Sequence, residues 1–393
     1  MKFAHISDSH LGGWRQPELQ ALNLESFRKV IDTCIAEEVN FVLFTGDLFD
    51  TPFPQIEILK ETFHEFRRLK DKAIKCYIIA GSHDYSVSGK TFLEVLEKAG
   101  FCEISKSEEE EGKIVLKPII HEGYYIYGYP GKKSGLEVDD LKKIIIKESY
   151  SNNFRILMLH TTIKEAAEDI PVESISLNDL PKADYYALGH IHVDFEKEIN
   201  NKPAIYGGPT FPNNFKELEE LKYGSFYIIN IEGYTKIIKK EIKLKEVELV
   251  ELEITNAIRA TEKILEHLQR RDLKDKIVLL KIFGDLKEGK PSDIKFSDIE
   301  SFIKKSGAYS FLKNISKLEL EKKDFSNEFF NQDMERIEEV LIKRYNKENP
   351  SKFNEYIMPL IEALDLEKQE GEKNDIFNNR LLSEVNKVLD VEL

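Results

Sequence analysis

Basic residues are in the minority in this chain: 57 lysines and arginines stand against 71 aspartates and glutamates, a formal net charge of -14 over 393 residues. So acidic a protein does not coat nucleic acid by bulk electrostatics, although it can still engage phosphates through bound cations and a local basic patch. Cysteine is scarce too. Cys34, Cys76 and Cys102 are odd in number and share no metal-ligand spacing, and Cys34 and Cys76 lie inside apolar stretches. They read as buried free thiols, in keeping with a reducing compartment. No apolar run approaches the ~20 residues needed to span a bilayer. MKFAHISDSH lacks a basic segment followed by an apolar stretch and a cleavage site, so a cytoplasmic protein, nucleoid-associated if prokaryotic, is expected. There is no G-x-x-x-x-G-K-[ST] loop, so any ATP hydrolysis must come from another polypeptide.

What is present is an alternation of short β-branched or aromatic runs with helical patterns, through about residue 230. KFAHIS, FVLFTG and KCYIIAG read as buried strands, each leading into a polar, Gly-containing loop. A helix is predicted from about Asn23 to Glu38. A second follows Pro52 and Pro54, with Ile56, Leu59, Phe63 and Phe66 at three- and four-residue steps. RILMLH, YYALGHIH, AIYGG and YGSFYIINI read as further strands, and SKSEEEEGK (105–113) as a charged loop. Two packed sheets with helices outside are expected. From about Glu246 the pattern becomes strand, helix, strand, helix, strand, a small α/β unit without a catalytic constellation. In the tail, Phe330, Met334, Ile337, Leu341 and Tyr345 mark an amphipathic helix that Pro350 breaks. A second is expected over Tyr356 to Leu366. LEKQEGEKN reads as a linker, and Leu381, Leu382, Val385, Val388 and Leu389 mark a last helix. Short helices with so little core of their own suit docking on a partner helix or coiled coil as well as internal packing.

Five stretches supply metal-ligand residue types at strand ends: DSH (8–10), GDLFD (46–50), GSHD (81–84), LH (159–160) and GHIH (189–192). They hold five of the nine histidines. Asp8 and His10 are two apart, as are His190 and His192. Residues i and i+2 on a strand share a face, so each pair is expected to converge on one point. Asp47 follows an apolar strand where Gly46 allows a tight exit, and His160 closes another. His5, His64, His121 and His267 belong to no such group and read as core or surface residues. Carboxylate and imidazole donors without thiolates suit manganese, iron or zinc rather than a calcium cage.

In this order, D-x-H, GD, G-x-H-D, H and GH-x-H resemble the calcineurin-like metallophosphoesterases. FAHISDSHLG, GDLFDTPFP and DLPKADYYALGHIH narrow the resemblance to the DNA-repair nuclease family called SbcD in bacteria and Mre11 elsewhere. The GD-x-V-DRG element of protein-phosphatase relatives is absent. The resemblance covers residues 1–230 in motif and the whole chain in layout. It implies an α+β fold: a metallophosphoesterase β-sandwich flanked by helices (1–245), a small α/β capping domain that binds DNA (246–322), and a helical tail (323–393). It further implies two manganese ions, or other divalent transition metals. Asp8, His10, Asp47 and His192 would hold one, and Asp47, Ser82, His160 and His190 the other. His83 would face the scissile phosphate, and Asp84 would orient His83 or fix its loop. DNA ends, a homodimer using the second helix, and an SbcC/Rad50-type ATPase bound through the C-terminal helices complete what it implies. Trp14, Arg15, Tyr85 and Lys90 follow the first and third motifs and are the DNA-contact candidates at the rim.

The chain departs from the family pattern at Ser82, where an asparagine is usual. A hydroxyl has shorter reach than an amide oxygen, so weaker binding of the second metal is expected. Thr161-Thr162 replaces a frequent Gln-Gly pair, and Asp50 stands where many Mre11 sequences carry histidine. The reading that follows is a metal-dependent exo- or endonuclease of double-strand-break repair. A small-molecule or nucleotide phosphodiesterase is one rival. The other is a catalytically weakened DNA-end tether and ATPase scaffold, for which Ser82 is the only residue-level support.

Overall fold

The structure is a computed structural model that describes residues 1–86, 89–132, 137–147, 153–167, 172–199, 201–321, 342–343, 345–347, 350–369 and 372–389. The chain divides into two compact units, Met1–Leu320 and Glu321–Leu393. Among the described residues no helix is long and apolar enough to cross a membrane.

Two six-stranded mixed sheets form most of the first unit. One runs in the order Tyr234–Ile242, Gly224–Glu232, Lys2–Ile6, Phe41–Thr45, Lys75–Ile79, Glu103–Ile104, its last four strands parallel. The other runs Glu196–Ile199, Lys202–Tyr206, Tyr185–Gly189, Arg155–His160, Tyr124–Tyr129, Ile119–His121, with the four central strands parallel. Strand alternation decides what each face meets. Phe3, Phe41, Leu43, Tyr77 and Ile79 face Ile126, Ile156, Met158, Tyr185 and Ile205 across the space between the sheets. Ala4, Val42, Phe44, Cys76 and Ile78 point the other way, against helices Pro17–Ala36 and Ile56–Asp71. Burial on both faces is why these strands read as near-continuous apolar runs. The α+β sandwich with outer helices is thus the observed fold.

Three local expectations need correction. The first helix begins at Pro17, whose fixed φ suits a first helical position. Asn23 is no cap; it is buried mid-helix, donating from Nδ2 to the Ser9 carbonyl at 2.8 Å and accepting from Gly12 N at 3.3 Å. SKSEEEEGK is not a loop but half of a hairpin, Ser107–Glu110 against Lys113–Leu116, turned by Glu111 and Gly112 at φ 50° and 74°. Lys117 and Lys147 pair with Glu108 and Glu110 at 2.7 and 2.6 Å, offsetting the run of like charge. Trp14, expected at the rim, is buried, with its indole N–H on the Pro212 carbonyl at 3.0 Å. An apolar seam claims it.

That seam joins the sandwich to a parallel three-stranded sheet, Val247–Glu253, Ile277–Leu286 and Ser310–Leu320, within the same compact unit. Val278 and Leu280 face helices Ala260–Gln269 and Phe296–Lys305. Their neighbours Ile277 and Leu279 point oppositely, onto Trp14, Leu19, Leu22, Phe211 and Leu218.

In the second unit, helices Ile357–Leu364 and Asn374–Leu389 pack on each other, with Arg380 and Glu372 paired at 2.9 Å. Asn374 opens the last helix two turns before the predicted Leu381. Neither helix buries a side chain, and Ile361, Leu364, Ile376, Leu382 and Leu389 are exposed. Phe330, Met334, Ile337 and Leu341, expected on the first tail helix, lie outside the described residues.

Because Trp14 is the sole tryptophan and sits in the seam, intrinsic fluorescence reports the junction directly. Leu279→Ala is expected to cost about 2–5 kcal/mol in denaturant unfolding and to red-shift the native emission. A native spectrum unchanged by that substitution counts against the seam.

Candidate metal centre

The five ligand-bearing stretches meet at the carboxyl ends of parallel strands from both sheets. Asp8 and His10 follow Lys2–Ile6, Asp47 follows Phe41–Thr45, Ser82 and His83 follow Lys75–Ile79, His160 ends Arg155–His160, and His190 and His192 follow Tyr185–Gly189. The loops stay stitched beyond the strands: Asp8 N donates to Gly46 O (3.1 Å), His10 N to Asp47 O (3.0 Å) and Thr161 N to Gly189 O (3.1 Å). Asp8, His10, Asp47 and His190 have φ of 52°, 42°, 49° and 106°, a region that non-glycine residues rarely adopt. Strand alternation therefore does not aim these side chains; left-handed loop residues do. One expected pair also separates, since His190 and His192 turn to different clusters.

The first cluster is Asp8, His10 and His192, and the second is Asp47, His160 and His190. They adjoin, because Asp47 Oδ2 lies 3.2 Å from His160 Nε2 and 3.7 Å from His10 Nε2. Ser82 Oγ turns inward, donating to Asp47 Oδ2 at 3.4 Å. Every ligand expected from the sequence thus borders one of the two clusters. His5 does not; it is buried against the Tyr185 hydroxyl (2.9 Å) and Thr45 Oγ1 (3.1 Å) as a core residue.

The donor set fits divalent cations. His10 and His192 present their Nε2 atoms to each other at 3.2 Å, while each Nδ1 faces a carboxylate: Asp50 Oδ1 at 3.2 Å and Glu217 Oε1 at 2.9 Å. With Nδ1–H donated to the carboxylate and any Nε2 proton displaced, both Nε2 lone pairs point into the same space, which calls for a positive charge. His160 repeats the pattern, its Nδ1 donating to the Thr45 carbonyl at 2.8 Å while buried Nε2 lies 3.2 Å from Asp47 Oδ2 without the alignment of a hydrogen bond. Electrostatics agree. Burial opposes ionisation of Asp47, yet His160, His10 and the His83 amide hold its carboxyl well below the usual range. Burial also pushes His160 and His192 down, but Asp47 and Asp8 hold His160 up at about 9, and Asp8 and Glu217 hold His192 up at about 10. Burial and the His160 charge push His190 down to about 4.

His83 is about half exposed at the edge of the site. Its Nδ1 donates to the Asp50 carbonyl at 2.8 Å, and its ring meets His10 edge-on at 4.7 Å between centroids. Asp84 is buried beneath, accepting from the backbone N–H groups of Gly81 (2.9 Å), Phe49 (3.1 Å) and Leu48 (3.4 Å). Its contacts fix two loops rather than orient His83. Burial and the Asp47 charge push its carboxyl up, to about 7, against those amides. Arg15 and Lys90 are exposed, whereas Tyr85 is partly buried against the first core. Asp50 and Glu217, which back the imidazoles, went unpredicted. Asp50 stood inside the quoted GDLFD stretch, but Glu217 is distant in sequence from every motif and gave no signal.

Gly46 passes so close to His160 that an added Cβ would lie 2.2 Å from His160 Nδ1, and its φ is 94°. Gly46→Ala therefore incurs the ~1–2 kcal/mol of a left-handed residue as well as the collision. It is expected to lower the Tm and abolish binding at the second cluster in a metal titration. The protonated His160 and His192 set the sign of pH dependence: cations must displace those protons, so affinity falls as pH drops and rises toward pH 10. Calorimetric binding heats near pH 7 should differ between buffers of different ionisation enthalpy, and equal heats would overturn this.

Comparison with known proteins places the arrangement. The calcineurin-like phosphoesterase family model matches residues 1–194. A protein of Archaeoglobus fulgidus named DNA double-strand break repair protein Mre11 is 25% identical over 412 residues, covering 98% of this chain and 85% of its own. Proteins of the same name from Methanocaldococcus jannaschii and Sulfolobus acidocaldarius are 30% and 28% identical over 266 and 292 residues. They cover 64% and 72% of this chain, and 67% and 74% of theirs. The chain belongs to the calcineurin-like phosphoesterases and, within them, to the Mre11/SbcD family.

Proposed function

We propose that this chain is a DNA nuclease of double-strand-break repair, hydrolysing phosphodiesters at or near DNA ends with two divalent ions, manganese in the first instance. The observation that carries the reading is the pair of adjoining clusters around Asp47 beneath the half-exposed His83. Asp8, His10, Asp47 and His192 would hold one ion, and Asp47, Ser82, His160 and His190 the other. Such ions supply Lewis-acid stabilisation of phosphodiester oxygens and activate water as nucleophile near neutral pH. The protein's own part is positional. Asp50 and Glu217 set the tilt and tautomer of His10 and His192, and Thr45 does so for His160. His83, anchored through Nδ1 on the Asp50 carbonyl, keeps Nε2 for the substrate. The attacking water would lose one proton to solvent and bond to phosphorus as hydroxide, and as the ester P–O bond breaks the His83 imidazolium would give its Nε2 proton to the leaving oxygen.

Several features support the wider assignment. Arg15 and Lys90 are exposed beside the metal loops and would meet backbone phosphates. Residues 246–322 would serve as a DNA-binding capping domain. The exposed apolar residues of the last two helices suit the base of an SbcC/Rad50-type coiled coil, which would bring the ATPase. Phe53, in the loop before the second helix, and Ile56, its first residue, are 76% and 77% exposed and suit a homodimer contact.

The test is manganese-dependent degradation of a labelled DNA duplex. His83→Ala should lower the rate by about 10²–10⁴-fold with metal binding retained. Hydrolysis of bis-p-nitrophenyl phosphate without degradation of DNA would instead mean a small-molecule phosphodiesterase. Ser82→Asn should tighten the second ion, read as a lower manganese concentration at half-saturation; an unchanged titration would show that Ser82 costs the site nothing.

A further inference from the structure

The helix Phe215–Glu220 touches the metal centre on one side and the three-stranded sheet of residues 247–320 on the other. Glu217 Oε1 lies 2.9 Å from His192 Nδ1, and Glu217 Oε2 accepts from the Asn213 amide at 2.7 Å. The next residue, Leu218, is fully buried among Ile277 and Leu279 of the sheet's central strand. The one after, Glu219, is paired with Lys281 of that strand at 2.6 Å, and Lys281 also reaches Glu251 on the neighbouring strand at 3.1 Å. Ile277, Leu279 and Lys281 are alternate residues of one strand and share a face. Three consecutive helix residues thus grip, in order, the metal centre, the seam and the sheet.

We propose that this helix is a mechanical link through which the position of the 247–320 sheet sets cation affinity at His192, with Glu217 as the positioning residue. The inference rests on reading the centre as a divalent-metal site. A helix of under two turns, gripped through three consecutive residues, cannot tilt at Leu218 without moving Glu217, and a carboxylate that leaves Nδ1 frees the imidazole to rotate and change tautomer. Partners of that kind affect metal affinity by about 10–100-fold in other metal centres. The sheet therefore acts on the first cluster through the Glu217 carboxylate, while Asp47, His160 and His190 have no such connection among the described contacts.

Cobalt(II) titration of the full-length chain, followed by visible absorption, provides the test. Glu217→Gln should weaken the tighter ion about tenfold or more and shift its d–d bands. Lys281→Met, on the sheet and remote from the ions, should weaken the same ion about three- to tenfold. Glu219→Gln should give the same shift from the helix side, which guards against a folding defect in either variant. Lys263→Met, exposed on the helix Ala260–Gln269 that covers the opposite face of the same sheet, should bind as the parent does. Because all these effects pass through one carboxylate, Glu217→Gln with Lys281→Met should bind no more weakly than Glu217→Gln alone. Parental affinity in both Lys281→Met and Glu219→Gln overturns the link, as does full additivity in the double variant. A parent chain that develops no cobalt absorption overturns the metal reading itself, a distinguishable result.

Discussion

A buried negative charge that needs positive company governs this molecule. Asp47 is 2% exposed, yet its carboxylate stays ionised between His160 and His10, steadied by the His83 amide at 2.8 Å. Burying such a charge is costly unless it is paired and hydrogen-bonded, so the surrounding chain has to bring donors to it from several directions. The two sheets do this. Five of their parallel strands end together at one edge, and these endings bring the site residues together around Asp47. The left-handed backbone at Asp8, His10, Asp47 and His190 is the accompanying strain, tolerated because the core between the sheets holds each strand rigidly up to its last residue.

The same requirement orders the layer behind the ligands. Each imidazole that can be followed has its outer nitrogen tied down: His10 to Asp50, His192 to Glu217, His160 to the Thr45 carbonyl. Asp84 takes a different part. Facing backbone amides from both the Gly81 and Leu48 loops, it joins the segments that carry Ser82, His83 and Asp47. Burial pushes its carboxyl up and the Asp47 charge adds to the push, a second part that a cation beside Asp47 would relieve.

How much of this could be read from sequence depended on whether a signal was local. Strands buried on both faces are written as unbroken apolar runs, so KFAHIS, FVLFTG, KCYIIA and RILMLH were legible, and the ligands at their ends with them. The helix start reads too late from sequence, at about Asn23, because that polar residue interrupts the apolar pattern, whereas its amide lies mid-helix and is consumed by Ser9 and Gly12. The acidic stretch of 105–113 misled because the lysines that neutralise it, Lys117 and Lys147, lie further along the chain. Trp14 beside a metal motif looked like a stacking platform, and nothing local announced that Ile277 and Leu279 would cover it. Glu217 was illegible for the same reason: its importance lies in a contact with His192, 25 residues away, that only the fold creates.

Ser82 can now be weighed against the structure rather than against a family habit. Both imidazoles of the first cluster are backed by carboxylates, and backing of that kind raises the basicity of a ligand nitrogen. In the second cluster His160 is backed by a neutral carbonyl, and the hydroxyl at 82 is spent in part on Asp47 at 3.4 Å. The two clusters therefore differ in donor strength before position 82 is considered, and serine widens a difference already built into the backing residues. What the serine leaves intact is the Asp47 carboxylate, whose Oδ2 lies near both His160 and His10, together with His83 poised on the Asp50 carbonyl. On the proposed reading, a site weakened at one of several donors, with Asp47 and His83 in place, suits an enzyme whose second ion binds loosely better than an abandoned centre.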